Sequence, residues 1–327
     1  MISGVGYMNL WNLRFSTFGT LAIIIGLSTL FFTVLLSLTG IFDYLTLIIF
    51  VVLFNFVQWL FAPYLIGALY RVREVSPSDD PKLYGIVERL SQKSGIKMPK
   101  VMIAQIPLPN AFAYGSPIAG SRVAVTTGLL KTLESEEVEA VIGHELGHLK
   151  HRDVQVMMFV SFLPALFYWI GYITFLSSAY GRRERDSGAA AIIGVGSMFL
   201  YWVLTMFTLY LSRLREYYAD RHSAMVVEEG PRKLSEGLAK IVHSTKNLRR
   251  FRRDMGGFNS FKSLFIADPD RAESDATSIA ETRTYMTDQK LVEKVLTSEV
   301  TTFDKVMELF SSHPNIVKRL RALKELA

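Results

Sequence analysis

The stretch Ser135-Glu-Glu-Val-Glu-Ala-Val-Ile-Gly-His-Glu-Leu-Gly-His-Leu-Lys150 decides how this chain folds. Ser135 and the two glutamates after it are typical of a helix start, and the apolar residues that follow share one face. Residues four apart lie on the same side of a helix, so His144 and His148 can bind one zinc ion while Glu145 lies beside its open position. By itself so short a pattern also fits an amphipathic helix with two solvated histidines.

A third zinc ligand is available in Glu216, because catalytic zinc commonly takes two histidines, one carboxylate and a water. Asp220 lies one turn further on the same helix face, where it can hold the ring N–H of a ligand histidine, plausibly His144. His148 precedes one apolar stretch and Glu216 follows the next, so an antiparallel hairpin returns both to the same side. The alternative for Glu216 and Asp220 is a salt bridge at a helix end.

The composition narrows the class of protein. Of the 327 residues 50% are hydrophobic and only 20% are charged, which excludes a disordered chain and makes an ordinary soluble enzyme a poor fit. There is no cysteine, which excludes a disulfide scaffold, a thiol nucleophile and an iron–sulfur cluster. Any metal must therefore be held by His, Asp or Glu.

Four apolar stretches have the length that a membrane helix needs: 16–38, 44–70, 154–180 and 189–212. The first is too long for a cleavable signal and should remain as an anchor. Basic residues mark the side expected to be cytosolic: Arg14, Arg71, Arg73, Lys150, Arg152, Arg213 and Arg215. Arg182, Arg183 and Arg185 disagree, so the 154–212 hairpin either tolerates a basic tip or crosses incompletely; we favour crossing. The basic run 246–253 fits an anionic lipid surface better than nucleic acid.

This pattern predicts four regions: an N-terminal transmembrane hairpin (1–72), a first catalytic part with a sheet and the zinc-binding helix (73–153), a second hairpin (154–212) and a second catalytic part (213–327). Strand-like runs at 101–106, 111–114 and 122–127 supply the sheet, and helices dominate after residue 213. The polar segment 268–288 is a candidate flap over the active-site cleft.

Four motifs occur in a fixed order: Asn110-Ala111-Phe112-Ala113, His144-Glu-Leu-Gly-His148, Glu216-Tyr-Tyr-Ala-Asp220 and Ser312-His313-Pro314. Together they resemble the HtpX family of membrane-embedded zinc metalloproteases, relatives of the CAAX prenyl proteases, over about residues 83–321. The resemblance implies a mainly α membrane protein with about four transmembrane helices and a cytosolic α+β, zincin-like domain with a small sheet. It also implies one zinc ion per chain and cleavage of damaged or misassembled membrane proteins at the plasma membrane.

The zinc chemistry assigns His144, His148 and Glu216 as ligands and Glu145 as the general base. His313 and Arg319 match the family positions that stabilise the oxyanion, although His313 could simply cap a helix and Arg319 could be surface charge. Residues Asn110 to Ala113 resemble the edge strand that holds substrate, with an ordinary internal strand as the alternative.

Two other functions remain open at this stage. A narrower processing protease for one tail or signal would use the same chemistry, and a catalytically silent membrane scaffold would retain the fold. The intact set of Glu145 and the three ligands argues against a scaffold. The expected partners are unfolded or damaged membrane proteins and the lipid bilayer, without nucleic acid, and the sequence leaves the oligomeric state unknown.

Overall fold

The computed structural model describes residues 56–57, 60–61, 63–68, 70–180, 187–246 and 287–327. The expected spans 16–38 and 44–70, the basic run 246–253 and the segment 268–288 lie wholly or largely outside these residues. The described chain divides into two compact units, one drawn from Leu60–Val154 and Arg213–Ala327, the other from Gln155–Ser212. The four predicted regions remain a prediction.

A small mixed sheet belongs to the first unit. Its strands are β1 (Val72–Glu74), β2 (Lys100–Ala104), β3 (Ala111–Ser116) and β4 (Gly120–Thr126), in the spatial order β1-β2-β4-β3. β2 and β4 run parallel, and the other two pairs are antiparallel. Among the described strands β3 pairs with β4 alone, with Ala113 opposite Val123, and so forms one edge of the described sheet.

The helices of the first unit surround this sheet. From residue 70 onward the described helices are, in chain order, α1 (Pro81–Ser94), α2 (Thr127–Thr132), α3 (Ser135–Lys150), α4 (Asp153–Tyr180), α5 (Ser187–Val226), α6 (Gly230–Lys246), α7 (Asp288–Thr297), α8 (Thr302–Leu309) and α9 (Ile316–Lys324). The cap of α3 lies one residue before the serine expected to start it. Glu134 is the N-cap, and Glu134 and Glu137 form a reciprocal capping box that satisfies two backbone N–H groups.

Helix α3 lies at the centre of the first unit's core. Its apolar face is fully buried with the facing side chains of α1 and α6, and β-strand residues close the same cluster. The residues of α3 that carry this packing are Val138, Val141, Ile142 and Leu146. Because this face fixes the rotation of the helix, it also fixes the direction in which His144 and His148 point.

The long apolar helices α4 and α5 contribute residues 155–180 and 187–212 to the second unit, which has its own apolar core. Within the described residues, the segment Ala191–Val226 is long and apolar enough to cross a membrane. The mostly helical character, the small mixed sheet and one candidate membrane helix are thus present. The number of four spans remains a prediction.

Candidate metal centre

Three side chains converge on one point in the first unit. His144 and His148 project from α3, and Glu216 projects from α5. The two Nε2 atoms lie 3.2 Å apart. Glu216 Oε2 lies 3.6 Å from Nε2 of His144, and Oε1 lies 3.5 Å from Nε2 of His148. One ligand atom from each of the three residues lies within 4.8 Å of the other two.

These separations fit a tetrahedral zinc ion. Two ligand atoms that each lie about 2.0–2.1 Å from zinc are about 3.3–3.4 Å apart at the tetrahedral angle. The three measured separations fall on either side of that value. Two imidazoles and one carboxylate also form a donor set typical of catalytic zinc, which leaves a fourth position for substrate or water. The residues present therefore fit the metal that the sequence predicts.

Small residues allow α3 and α5 to approach closely enough to bring the ligands together. A Cβ built on Gly147 would lie 2.9 Å from the Cα of Ala219, and one built on Gly143 would lie 3.0 Å from Oγ of Ser223. The Ser223 hydroxyl donates a hydrogen bond to the carbonyl of Ala140 at 2.6 Å across the same contact. Gly143 directly precedes His144, and Gly147 directly precedes His148. The close approach of the two helices at these glycines therefore fixes the distance from both histidines to Glu216.

Asp220 and Arg319 support the metal-binding residues through hydrogen bonds and ion pairs. Asp220 Oδ1 lies 2.8 Å from Nδ1 of His144, the arrangement that fixes the tautomer of a ligand histidine. The Arg319 guanidinium donates to both Asp220 oxygens, from Nε at 2.9 Å and from Nη2 at 2.6 Å. Its Nη1 lies 3.1 Å from Oε2 of Glu216. Arg319 is 1% exposed, so its charge is balanced inside the protein by these two carboxylates.

Sequence reasoning missed the equivalent support for His148. Nδ1 of His148 lies 2.6 Å from Oδ2 of Asp153, and Arg215 forms an ion pair with the same carboxylate. The Arg215 Nη2 also donates to the carbonyl of His151 at 2.6 Å. A positive φ of 55° at Arg152 turns the chain sharply between α3 and α4 and brings Asp153 back to the ring. A chemical argument could have pointed to Asp153, because the second ligand histidine also needs a hydrogen-bond acceptor for its other N–H.

Burial and these carboxylates separate the pKa values of the two ligand histidines. Burial lowers the pKa of His144 to about 4, with Asp220 only partly opposing it. Burial acts in the same direction on His148, but the hydrogen bond and charge of Asp153, together with the charges of Glu216 and Glu145, outweigh it and raise the pKa of His148 to about 9. In the metal-free protein His148 is therefore the protonated ligand at neutral pH, and binding of a metal must displace that proton.

Glu145 lies between the ligands and the edge strand. It is 3% exposed, and its burial raises the pKa of the carboxyl group above the ordinary glutamate value. The backbone N–H of Ala113 on β3 donates a hydrogen bond to the same carboxylate. Of the four residues predicted to hold substrate, Ala113 thus adjoins the site. Asn110 exchanges hydrogen bonds with Thr126, and Phe112 packs against Tyr70 and Tyr114.

His313 enters the site from the segment between α8 and α9. Its Nε2 lies 3.7 Å from Oε1 of Glu216, and its Nδ1 lies 3.0 Å from Oγ of Ser312. Burial, aided by the nearby positive charge of Arg319, lowers the pKa of His313 to about 3. The ring is therefore neutral and carries one N–H.

The chain is similar to known proteins in sequence and in fold. A model of peptidase family M48 matches residues 77–327. The protease HtpX homolog of Thermoplasma acidophilum is 38% identical over 84% of this chain and 83% of its own length. That of Aeropyrum pernix is 40% identical over 83% of this chain and 82% of its own length. The crystal structure of S. mikatae Ste24p aligns with a TM-score of 0.51 at 16% identity, over 96% of this chain and 66% of that one. The last likeness concerns the fold alone, and this chain spans about two thirds of that structure's length.

Proposed function

The chain belongs to peptidase family M48 and is a metalloprotease, and from this premise we propose that it is an integral-membrane zinc endopeptidase that cleaves damaged or misfolded membrane proteins at the cytosolic face. The observation that carries the proposal is the convergence of His144, His148 and Glu216, with the buried carboxyl of Glu145 beside them. Those three residues would hold one zinc ion per chain.

The zinc, when bound, supplies a Lewis acid that polarises the scissile carbonyl and acidifies the attacking water. Glu145 accepts a proton from that water at its carboxylate, and the water oxygen forms a bond with the carbonyl carbon. The same carboxyl group then donates the proton to the leaving amine as the C–N bond breaks. The raised pKa of Glu145 suits this exchange, because a proton is held more readily than by an exposed glutamate.

His313 is the residue to which we assign the oxyanion contact. The Ser312 hydroxyl can donate to Nδ1 of His313, which places the ring proton on Nε2, the atom that faces Glu216. An N–H fixed there can donate to the oxygen of the tetrahedral intermediate. Arg319 already donates to Asp220 and lies against Glu216. We therefore assign Arg319 to positioning these carboxylates rather than to the oxyanion.

Strand β3 supports binding of extended peptide. Asn110 bonds to Thr126 on the β4 side, so the backbone groups of Ala111, Ala113 and Gly115, which have the opposite parity, point away from β4. A substrate strand added along this edge of the described sheet would run past Ala113, whose N–H already contacts Glu145. Recognition through backbone groups demands little of the substrate sequence, which suits a protease that acts on many misfolded proteins.

The membrane location rests on the apolar segment Ala191–Val226 and on the basic residues that flank the apolar runs. Lys150, Arg152, Arg213 and Arg215 belong to the first unit, at its boundaries with the second, which favours a cytosolic catalytic domain and a multi-pass arrangement.

Substrate breadth tests the proposed function. The detergent-purified protein, loaded with zinc, is incubated with several unrelated membrane-protein reporters, each in a folded and an unfolded form. We expect cleavage of most unfolded reporters and little cleavage of folded ones. A chelator should abolish all cleavage. Cleavage of a single reporter at one site would support the narrower processing enzyme instead. Chelator-resistant cleavage would contradict a metalloprotease mechanism.

A further inference from the structure

Helix α8 carries its apolar side chains on the outside. Three helix residues and the C-cap residue Phe310, at i, i+3, i+4 and i+7, form an exposed stripe, with Leu309 beside it. Their exposed fractions are high: Phe303 68%, Val306 48%, Met307 43%, Phe310 54% and Leu309 52%. We call these five side chains the α8 stripe. A contiguous apolar stripe on one helix is a surface that water solvates poorly.

The opposite face of α8 contacts the rest of the first unit through the charged side chain of Glu308. Glu308 is 7% exposed, forms an ion pair with Lys318 and accepts a hydrogen bond from the N–H of Asn315 at 3.2 Å. The other acidic side chain, Asp304, caps the helix by accepting from the N–H of Thr301 at 2.9 Å. The helix of a water-soluble domain has the reverse arrangement, with apolar residues inward. The polar contacts hold α8 in this orientation.

Arg213 fastens the end of α8 at a defined place along α5. Its Nη1 donates to the carbonyls of Glu308 and Ser311, each at 2.7 Å. Arg213 is also the first charged residue after the apolar run 189–212 of the same continuous helix. If that run crosses the bilayer, Arg213 lies at the level of the lipid headgroups, and the carbonyls bound to it lie at the same level.

A bilayer surface suits the α8 stripe better than another copy of the protein does. Five partly exposed side chains offer on the order of 500 Å² of apolar surface. That is less than the roughly 800 Å² per partner that stable protein interfaces bury. Lys305, the exposed charged residue of α8, lies next to Leu309 at the margin of the stripe. A basic residue at the margin of a large apolar face is typical of helices that lie in the headgroup region.

We propose that α8 is an interfacial helix whose stripe inserts into the cytosolic leaflet. This inference rests on the proposed membrane location. Ser311, Ser312 and His313 follow α8 directly, so insertion of the stripe would hold the His313 segment at a fixed depth beside the membrane surface. Membrane substrates would then meet the site where their extramembrane segments leave the bilayer.

The absence of cysteine allows a direct test, because one introduced cysteine can carry a fluorophore at a unique position. The full chain is prepared as three variants: Val306→Cys on the stripe, Glu88→Cys on the exposed face of α1, and Phe199→Cys, 64% exposed on the apolar part of α5. Each is labelled and reconstituted in vesicles of phosphatidylcholine and phosphatidylglycerol. Quenching by aqueous iodide is compared with quenching by lipids brominated near the headgroup or deep in the acyl chain.

We expect the label at Val306→Cys to be quenched by shallow brominated lipid and at least about fivefold less by iodide than the label at Glu88→Cys. The label at Phe199→Cys should respond to deep brominated lipid. If Phe199→Cys responds and Val306→Cys behaves like Glu88→Cys, the interfacial helix is wrong although the membrane location stands. If Val306→Cys escapes both quenchers, another part of this chain or a second copy covers the stripe, and the proposal is also wrong. If Phe199→Cys is quenched only by iodide, the membrane location fails and the interfacial helix fails with it.

Discussion

Gly147 on α3 lies against Ala219 on α5 so closely that a Cβ on the glycine would come within 2.9 Å of the alanine Cα and 3.0 Å of Cβ of His222. Neither contact is with the end of a flexible side chain, so a larger residue must push the helices apart. The three zinc ligands come from these two helices, and their atoms already lie at the separations that zinc requires.

Gly147→Ala should therefore lower both stability and zinc affinity. The added methyl group overpacks the contact, which should lower the free energy of unfolding by about 1–3 kcal/mol. Thermal melting and competition with a chromophoric chelator measure the two effects. Gly85→Ala on α1 is the matched control: nothing lies within 4 Å of the added Cβ. Helix propensity should stabilise that variant by about 0.5–1 kcal/mol. Equal melting temperatures and equal zinc affinities of the two variants would contradict the claim that Gly147 sets the ligand geometry.

Asp153→Asn tests the support of the second ligand histidine. The amide keeps the size but loses the charge that holds the Nδ1 proton of His148 at 2.6 Å, so zinc affinity should fall about 10- to 100-fold. In the metal-free variant burial is opposed only by Glu216 and Glu145, so the pKa of His148 should fall from about 9. Chelator competition and the histidine NMR shifts measure these changes. Glu139→Gln, which removes an ion pair with Arg89 on the outer face of α3, should change neither.

Arg319→Met leaves the carboxylates of Asp220 and Glu216 buried without their cation, which costs about 3–5 kcal/mol. We expect a clear drop in melting temperature of the metal-free protein. Arg321→Met on the same helix removes an exposed side chain that donates to two backbone carbonyls, and it should cost less than about 1 kcal/mol. The double variant that combines Arg319→Met with Asp220→Asn should recover part of the lost melting temperature. Equal melting temperatures for the two single variants would show that Arg319 does not hold the carboxylates.

Ala113→Pro examines the edge strand. Proline removes the N–H that donates to Glu145 while an edge strand tolerates its ring, so kcat/KM should fall on the order of 10²-fold with zinc content unchanged. Ala113→Gly keeps the N–H and should retain most of the activity. Similar kcat/KM values for the two variants would argue against any role of this N–H.

The sequence predicts the parts of the site that depend on local periodicity. His144 and His148 follow the helical repeat, and Glu216 and Asp220 do so on a second helix; the structure brings all four together. Their roles stay predictions until measured. Asp153 escaped prediction because it reaches His148 through a sharp turn at Arg152, which no repeat signals.

Other features depend on the direction of a contact, which a sequence does not encode. Periodicity shows that α8 has an apolar face but not that this face points outward, because that depends on Glu308 packing inward. Arg319 has the residue type of an oxyanion donor, yet its donors face Asp220 and Glu216. Strand β1 spans only Val72–Glu74, too short to carry an alternating pattern, so its place in the sheet follows from pairing with β2.

The most direct measurement compares zinc content and proteolysis for the wild-type protein and Glu145→Gln. Glutamine matches glutamate in size but cannot accept the proton of the attacking water, and Glu145 is not one of the three converging ligands. The account predicts equal zinc content in both proteins, cleavage of an unfolded membrane-protein reporter by wild type alone, and loss and recovery of that cleavage with chelator and added zinc. Equal cleavage by a fully zinc-loaded Glu145→Gln protein would contradict the assignment of Glu145 as the general base.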